Sequence, residues 1–189
     1  FTQRSRLESL IGKEAANNLA VKAKQVALPA TGLIPLVLSE ESAAVSFSPL
    51  EVLTIRRSEL TDLLKKEERW VIHGAKYWIR SGVLSRVAVD TEIASYLLNP
   101  GSRDLELVDV LRKFCGIELP VIGQDLFTED WNPSAAAHLL TLWDYLNKEL
   151  ERHNALRLYQ ELEIPTMEIL SRMESLGIGV EKKKLSELR

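Results

Sequence analysis

The stretch WVIHGAKYWIRSGVLSRVAVDTEIASYLLNP (70–100) carries two successive strand–helix units and decides the fold class. Short apolar runs predict its two strands, and a segment of helical character follows each of them. The predicted elements are a strand at WVIH (70–73), a helix at AKYWIRSG (75–82), a strand at RVAV (86–89) and a helix at DTEIASYLLNP (90–100). Asp90 is a typical N-cap residue. Strands that alternate with helices indicate an α/β layer arrangement.

Toward the N-terminus, three more apolar or alternating runs predict strands. They are LIPLVLS (33–39), AAVSFS (43–48) and EVLTIR (51–56), separated by short polar or proline-containing turns. Their close spacing favours three consecutive antiparallel strands, although Pro35 cannot donate to a strand ladder. Ser58 is predicted to begin a helix whose acidic residues lie at its start and whose lysines lie at its end, as the helix dipole favours.

The C-terminal half is predominantly helical. LELVDVLRKFCG (105–116) has apolar residues near helical spacing and ends at Gly116, a typical helix stop. Ser134 begins the longest helical region, which is predicted to stop near Pro165 and then to resume as far as Gly177. The predicted fold class is therefore α/β, with a sheet flanked by helices and a long helical C-terminal segment.

Composition limits the classes of function. The 189 residues have a formal net charge of -3, which argues against a free-standing nucleic-acid binder with a basic face. The single cysteine, Cys115, excludes an internal disulfide and favours a reducing compartment. No apolar run is long enough for a membrane helix, and the first residues lack the apolar region of a signal peptide. We therefore expect a cytoplasmic protein.

One acidic pair after a predicted strand is a candidate metal site. Asp90 and Glu92 are two residues apart, so both carboxylates can leave the strand on the same side and share two Mg²⁺ ions. Asp109 and Asp130 are candidates for further ligands. The alternative is that Asp90 is only an N-cap and Glu92 only a first-turn residue, and the spacing alone leaves both interpretations open. Three histidines lack the spacing of a metal site and are interpreted as structural, namely His73, His138 and His153.

Three segments resemble the family A DNA polymerases. VDTEIASYLLNPGSRDLELVDVLRKFCG (89–116) resembles the stretch F-D-T-M-L-A-S-Y-L-L-D-P-G and the following helix in the exonuclease region of that family. VIHGAKYWIRSGV (71–83) is similar to its G-H-N-x-K-[FY]-D-x-x-x-L segment. LYQELEIPTMEILSRMESLGIGVEKKKL (158–185) resembles the entry into its polymerase domain. FTQRSRLESLI (1–11) also resembles the end of the preceding 5′-nuclease region, so the resemblance spans nearly the whole chain.

The resemblance implies a ribonuclease H-like fold of the DEDD 3′–5′ exonuclease type, with a mixed sheet flanked by helices. It also implies three parts, which are a tail or linker (1–24), a vestigial exonuclease-like domain (25–155) and a helix leading into the polymerase domain (156–189). In that family the D-T dipeptide follows the second exonuclease motif and begins a helix. The resemblance therefore assigns Asp90 to helix capping.

The catalytic acids of that family are absent at the matching positions. Its first motif, D-x-E, falls roughly within 26–38, where VALPATGLIPLVL holds no acid. Its second motif has Asn where this chain has Gly74 and a metal-binding Asp where it has Trp78. Its third motif has Tyr at the position of Trp131 and Asp at the position of Ala135. Because two divalent ions need several carboxylate oxygens, we expect no proofreading activity, and no metal or other cofactor in this segment.

The resemblance thus implies a non-catalytic structural domain within a polymerase that acts in DNA replication and repair. The parent protein would use Mg²⁺, the polymerase domain of the same chain would be the partner, and this domain alone would contact DNA weakly or not at all. One alternative is a divergent exonuclease that uses Asp90 and Glu92. Another is a helical interaction module, which an uncovered apolar stripe along 134–160 would reveal. Trp78 is expected to be buried.

Overall fold

The computed structural model describes residues 32–48, 51–102, 105–119 and 132–179. Within these ranges, the strands form one five-stranded mixed sheet with the spatial order β3-β2-β1-β4-β5. Their bounds are Ile34–Leu38 (β1), Ser42–Ser48 (β2), Glu51–Arg56 (β3), Trp70–Ile72 (β4) and Val89–Asp90 (β5). The predicted α/β class with a mixed sheet is confirmed.

The first three strands form the antiparallel meander that their spacing predicts. β4 lies parallel to β1, and β5 lies parallel to β4. Pro35 is accommodated at the parallel pairing, where it lies opposite Val71 of β4. The amide of the preceding Ile34 donates to the carbonyl of Arg69 at 2.9 Å. Central β1 therefore joins the antiparallel and the parallel halves of the sheet.

The described helices follow the predicted order. Their bounds are Thr61–Lys66 (α1), Ala75–Arg80 (α2), Thr91–Leu98 (α3), Leu107–Cys115 (α4), Leu139–Arg152 (α5), Leu156–Leu158 (α6) and Ile164–Leu176 (α7). A 3₁₀ turn, Arg57–Leu60, precedes α1, so the helix predicted from Ser58 begins in tighter form. A second 3₁₀ segment, Pro133–His138, precedes α5, and a π-helical segment, Tyr159–Glu163, precedes α7.

The second strand–helix unit differs from the prediction. The strand predicted at 86–89 is wrong in its bounds, because β5 covers only Val89–Asp90. Leu84 and Val87 are instead buried within an irregular segment. The amide of Ala88 donates to a β4 carbonyl just before regular pairing begins. The apolar residues before Val89 are therefore apolar because they lie in the core, and they do not extend β5.

The C-terminal helical region has one interruption that the sequence did not predict. The break follows α5, where Asn154 adopts a left-handed backbone conformation with φ of 56°. The predicted new helical start at Pro165 and end at Gly177 are confirmed, because Pro165 lies in the first turn of α7 and Gly177 is its C-cap. Proline is tolerated there since the amide that it lacks is not required in a first turn. The preceding π segment closes with a bond from the Ile164 amide to the Tyr159 carbonyl.

Two apolar clusters cover the sheet. Alternate residues of β4 enter different clusters, since Trp70 and Ile72 belong to one and Val71 to the other, as the two-residue period of a strand requires. The second cluster also buries the apolar face of α5 completely, through Leu139, Leu142, Leu146 and Leu150. The uncovered stripe expected of a free helical module is therefore absent from α5. None of the described helices is both long enough and apolar enough to span a membrane.

Candidate functional site

A cavity of about 300 Å³ lies where β1, α2 and the 3₁₀ segment before α5 meet. Trp78 and Ala135 both line this cavity beside residues of β1. These are two of the positions at which the family resemblance implies that a catalytic acid is absent. Gly74 lies elsewhere, at the N-cap of α2 with φ of 75°, and Trp131 lies outside the described residues. The fold therefore brings together residues from three separate sequence motifs at one place. The cavity is lined by Leu36, Val37, Leu38, Ser39, Glu40, His73, Tyr77, Trp78, Glu106, Leu107, Val108, Asn132 and Ala135.

Two carboxylates border this cavity, and neither was predicted as a site residue. Glu40 follows β1 and Glu106 precedes α4. Glu40 is already engaged, because it accepts a hydrogen bond from the Tyr77 hydroxyl and lies 3.6 Å from the Arg57 guanidinium. Across the described ranges, no group of three or more His, Cys, Asp or Glu side chains is placed to hold a metal ion. The location of Glu40 just past a strand end was the available signal.

Trp78 contributes an aromatic wall to the cavity. Its ring meets that of Tyr77 edge-on, with centroids 4.8 Å apart, and the Arg57 guanidinium carbon lies 5.4 Å from its centroid. The prediction that Trp78 is buried is wrong, because the side chain is only half-buried. One part packs against the core and another faces the cavity. The indole offers no oxygen with which to bind a metal ion.

The carboxylate of Asp90 acts as a cap for two helices. It accepts hydrogen bonds from the amides of Gly74 at 3.1 Å and Ala75 at 2.7 Å, at the start of α2. It also accepts one from the amide of Glu92 at 2.9 Å, in the first turn of α3. Asp90 is 1% exposed, so these backbone donors take the place of water. The N-cap interpretation of Asp90 is confirmed.

A second cavity, beneath α7, contains the Asp90–Glu92 pair. It too measures about 300 Å³, and Lys76, Glu163 and Met167 are among its other lining residues. None of its lining residues borders the first cavity. The acidic pair therefore does not converge on the positions of Trp78 and Ala135.

The carboxyl group of Glu92 has a raised pKa of about 6, mainly through burial and then through the charges of Asp90 and Glu106. A Cβ built on Gly74 would approach Glu92 Oε2 to 3.2 Å, so the absent side chain at Gly74 leaves room for this carboxyl group. The other proposed acids do not join it. Asp109 pairs with Arg112 at 2.9 Å on α4, and Asp130 lies outside the described residues.

His73 has a structural environment. Its Nδ1 lies 2.9 Å from the Thr91 hydroxyl oxygen, and its Nε2 faces the carbonyl oxygen of Leu105. Burial lowers the pKa of the imidazole, which favours a neutral ring that donates through Nε2. The ring thereby joins the end of β4 to the segment before α4.

The sequence is similar to DNA polymerase I of two bacterial groups. It is 33% identical over 123 residues to the Mycobacterium tuberculosis protein, covering 58% of this chain and 14% of that one. It is 26% identical over 140 residues to the Bacillus subtilis protein, covering 65% and 16%. The chain thus spans only about a seventh of the length of these relatives. No family model matches the sequence.

A solved structure shares the fold. It is described as the POL domain of Pol1 from M. smegmatis in complex with DNA primer-template and dNTP. The TM-score is 0.64 at 26% sequence identity, over 78% of this chain and 28% of the other. The mixed α/β fold of this chain is therefore similar to part of that polymerase structure. The resemblance to the family A DNA polymerases is confirmed, and the chain is a relative of one segment of DNA polymerase I.

Proposed function

We propose that this chain is a non-catalytic, ribonuclease H-like exonuclease-type domain of a DNA polymerase I that acts in replication and repair. Residues 25–155 would form the domain, and 156–189 would lead into the polymerase domain. One observation carries the proposal. The cavity at which β1, Trp78 and Ala135 meet has no carboxylate at any of these three places.

The charge of two metal ions is the physical reason for inactivity. A pair of Mg²⁺ ions brings four positive charges, and carboxylate oxygens must offset these charges and fix the geometry. Glu106 and Glu40 border the cavity, but Glu40 already interacts with Tyr77 and Arg57. Too few oxygens remain to hold two ions, and without them no metal-bound hydroxide forms at neutral pH.

The parent polypeptide would carry out template-directed DNA synthesis. The support is the similarity to DNA polymerase I and to a solved polymerase that holds primer-template and dNTP. Mg²⁺ would serve the parent polymerase and not this segment. With a net charge of -3, this domain alone would bind DNA weakly, because affinity for the phosphate backbone rests on Lys and Arg contacts.

The competing function is a divergent exonuclease that uses Asp90 and Glu92. The hydrogen bonds and the location of this pair argue against that function. Both carboxylate oxygens of Asp90 already accept backbone hydrogen bonds. Three of the roughly four acceptor sites of this carboxylate are thus occupied, and the side chain is 1% exposed, so little of it remains to coordinate two ions. The pair is also in a different cavity from Trp78 and Ala135.

The test is release of a 3′-terminal label from single-stranded DNA during a titration with Mg²⁺ or Mn²⁺. We expect release no faster than without protein. Release that is lost in both Asp90→Ala and Glu92→Gln would establish the exonuclease instead. Glu92→Gln is included because it keeps the Asp90 caps, so its inactivity would not be an effect of unfolding. Circular dichroism of each variant serves as the folding control.

A further inference from the structure

One lysine lies between two carboxyl groups that belong to different helices. The ammonium group of Lys76, on α2, is 2.7 Å from the carboxylate of Glu174 near the end of α7. Lys76 also lines the cavity beneath α7, together with Glu92 of α3. A lysine side chain is a flexible stem with rotatable donors, so its charged end can change partner without a change in the backbone. Lys76 is therefore within reach of two acids, and in this structure it is paired with Glu174.

The carboxyl group of Glu92 has space in this cavity and no direct partner. The missing side chain at Gly74 leaves room for Glu92 Oε2. Among the described residues, no hydrogen bond or ion pair is made to the carboxyl oxygens of Glu92, whereas the neighbouring carboxylate of Asp90 accepts three backbone hydrogen bonds. Ionisation of Glu92 therefore places a new negative charge in a cavity that Lys76 also lines.

The surroundings of Glu92 set the pH at which this charge appears. Burial, and then the negative charges of Asp90 and Glu106, raise the pKa of Glu92 to about 6, and the charge of Lys76 partly offsets that rise. Glu92 is therefore mostly protonated at about pH 5 and ionised at about pH 7.5. Glu174 is ionised at both pH values, because its hydrogen bond with Lys76 lowers the pKa of its carboxyl group. The titratable groups around Glu92 are Lys76 of α2, Asp90 and Tyr96 at the two ends of the first turns of α3, Glu106 before α4 and Glu163 of the π segment.

The difference in burial favours Glu92 over Glu174 as a partner once both are ionised. The side chains of Lys76 and Glu174 are 44% and 40% exposed, and ion pairs with this much exposure to water are weak. Glu92 is half-buried, and opposite charges attract more strongly where water is partly excluded. Glu174 would still have a partner, because the Arg80 guanidinium lies 3.4 Å from it.

We propose that Lys76 is a pH-dependent switch at the end of α7, which pairs with Glu174 while Glu92 is protonated and turns to Glu92 when Glu92 is ionised. Glu174 then keeps its longer contact with Arg80, while the hydrogen bonds between Tyr159 and Asp90 hold the start of the helical region. The last turns of α7 should therefore loosen as pH rises through 6. This inference does not depend on the proposed function.

Amide hydrogen exchange of residues 169–176 tests the switch in the full-length gene product. Exchange is measured at about pH 5 and about pH 7.5 and corrected for the intrinsic effect of pH on the rate. In the wild-type protein we expect exchange about threefold faster at the higher pH, the size expected for loss of one exposed ion pair. In Glu92→Gln the two rates should be equal and slow, because Lys76 stays with Glu174. In Lys76→Met they should be equal and fast, because neither acid has the lysine as a partner.

Lys76→Met separates the switch from a general effect of Glu92 on stability. If ionised Glu92 destabilised the whole fold without Lys76, the dependence on pH would persist in Lys76→Met, and that result would overturn the inference. A dependence on pH that persists in Glu92→Gln, or that is absent from the wild-type protein, would also overturn it. Glu118→Gln, at an exposed position, is the matched control and should keep the wild-type ratio of rates.

Discussion

Tyr159 and Asp90 form a reciprocal pair of hydrogen bonds through one hydroxyl group. The Asp90 amide donates to the Tyr159 hydroxyl oxygen at 2.8 Å, and that hydroxyl donates to the Asp90 carbonyl at 3.0 Å. The carboxylate of the same Asp90 caps α2 and α3. One residue therefore connects two helices of the α/β layer with the C-terminal helical region.

Tyr159→Phe should destabilise the protein by about 1–3 kcal/mol, because it removes both hydrogen bonds between the Tyr159 hydroxyl and the buried backbone of Asp90. The tyrosine ring is kept, so packing against Trp143, 5.5 Å away between centroids, should be retained. Chemical denaturation measures the loss. Tyr96→Phe, at a side chain that is 50% exposed, is the control and should change stability by less than about 0.5 kcal/mol. Equal effects of the two substitutions would contradict the role of Tyr159.

Asp90→Asn should cost about 2–3 kcal/mol. An asparagine can keep one oxygen acceptor, but its amide group then faces the backbone donor of Ala75, which loses a charge-assisted bond. Thermal and denaturant unfolding measure the change. The control is Asp109→Asn, whose carboxylate pairs with Arg112 on a helix surface and should matter by less than about 1 kcal/mol. A neutral effect of Asp90→Asn would refute the double cap.

Glu92→Gln should make stability less dependent on pH. The folded pKa of Glu92, about 6, lies above its ordinary value of 4.5, so the contribution of this group to stability is most favourable below pH 4.5 and is lost as pH rises through 6. The variant should therefore be more stable at pH 8 by about 1 kcal/mol, a figure reduced because the side chain is half-buried, and unchanged near pH 4. Denaturation at both pH values tests this. Glu118→Gln, at an exposed position, is the control, and an equal gain at both pH values would contradict the mechanism.

Trp78→Asp should destabilise the protein by about 1–3 kcal/mol without creating nuclease activity. The loss comes mainly from packing with Tyr77 and the core, because the nearby Arg57 can partner the new carboxylate. Cleavage stays absent since Ala135 and β1 still supply no acid. Trp78→Phe, which keeps an aromatic contact, should lose less. Denaturation and 3′-label release are the measurements, and cleavage by the single variant would contradict the account.

Local patterns predicted much of the fold. The meander of β1 to β3 follows from alternating apolar runs and short turns, and the cap at Asp90 follows from its place before an apolar helix. Positions far apart in sequence could also be brought to one cavity, as Trp78 and Ala135 were, but only through the family resemblance. Residue patterns alone gave no reason to join them.

The remaining features depend on tertiary contacts that leave no local signal. Nothing near Tyr159 indicates that its hydroxyl reaches Asp90. The sequence of Tyr159–Glu163 gives no sign that this segment is π-helical, whereas Pro165 correctly marked the start of α7. Glu40 escaped notice because it lies in a turn outside the motifs. Trp78 is half-exposed because it lines a cavity. The general tendency of tryptophan to be buried does not predict such a cavity.

The sequence separation between Asp90 and Tyr159 also affects the order in which contacts form during folding. The strands of the meander are adjacent in sequence, whereas this pair closes a span of 69 residues. Longer closures cost more entropy and are slower to form. During synthesis, the meander can therefore assemble while Tyr159 is still being made, and the contact between Tyr159 and Asp90 has to form later.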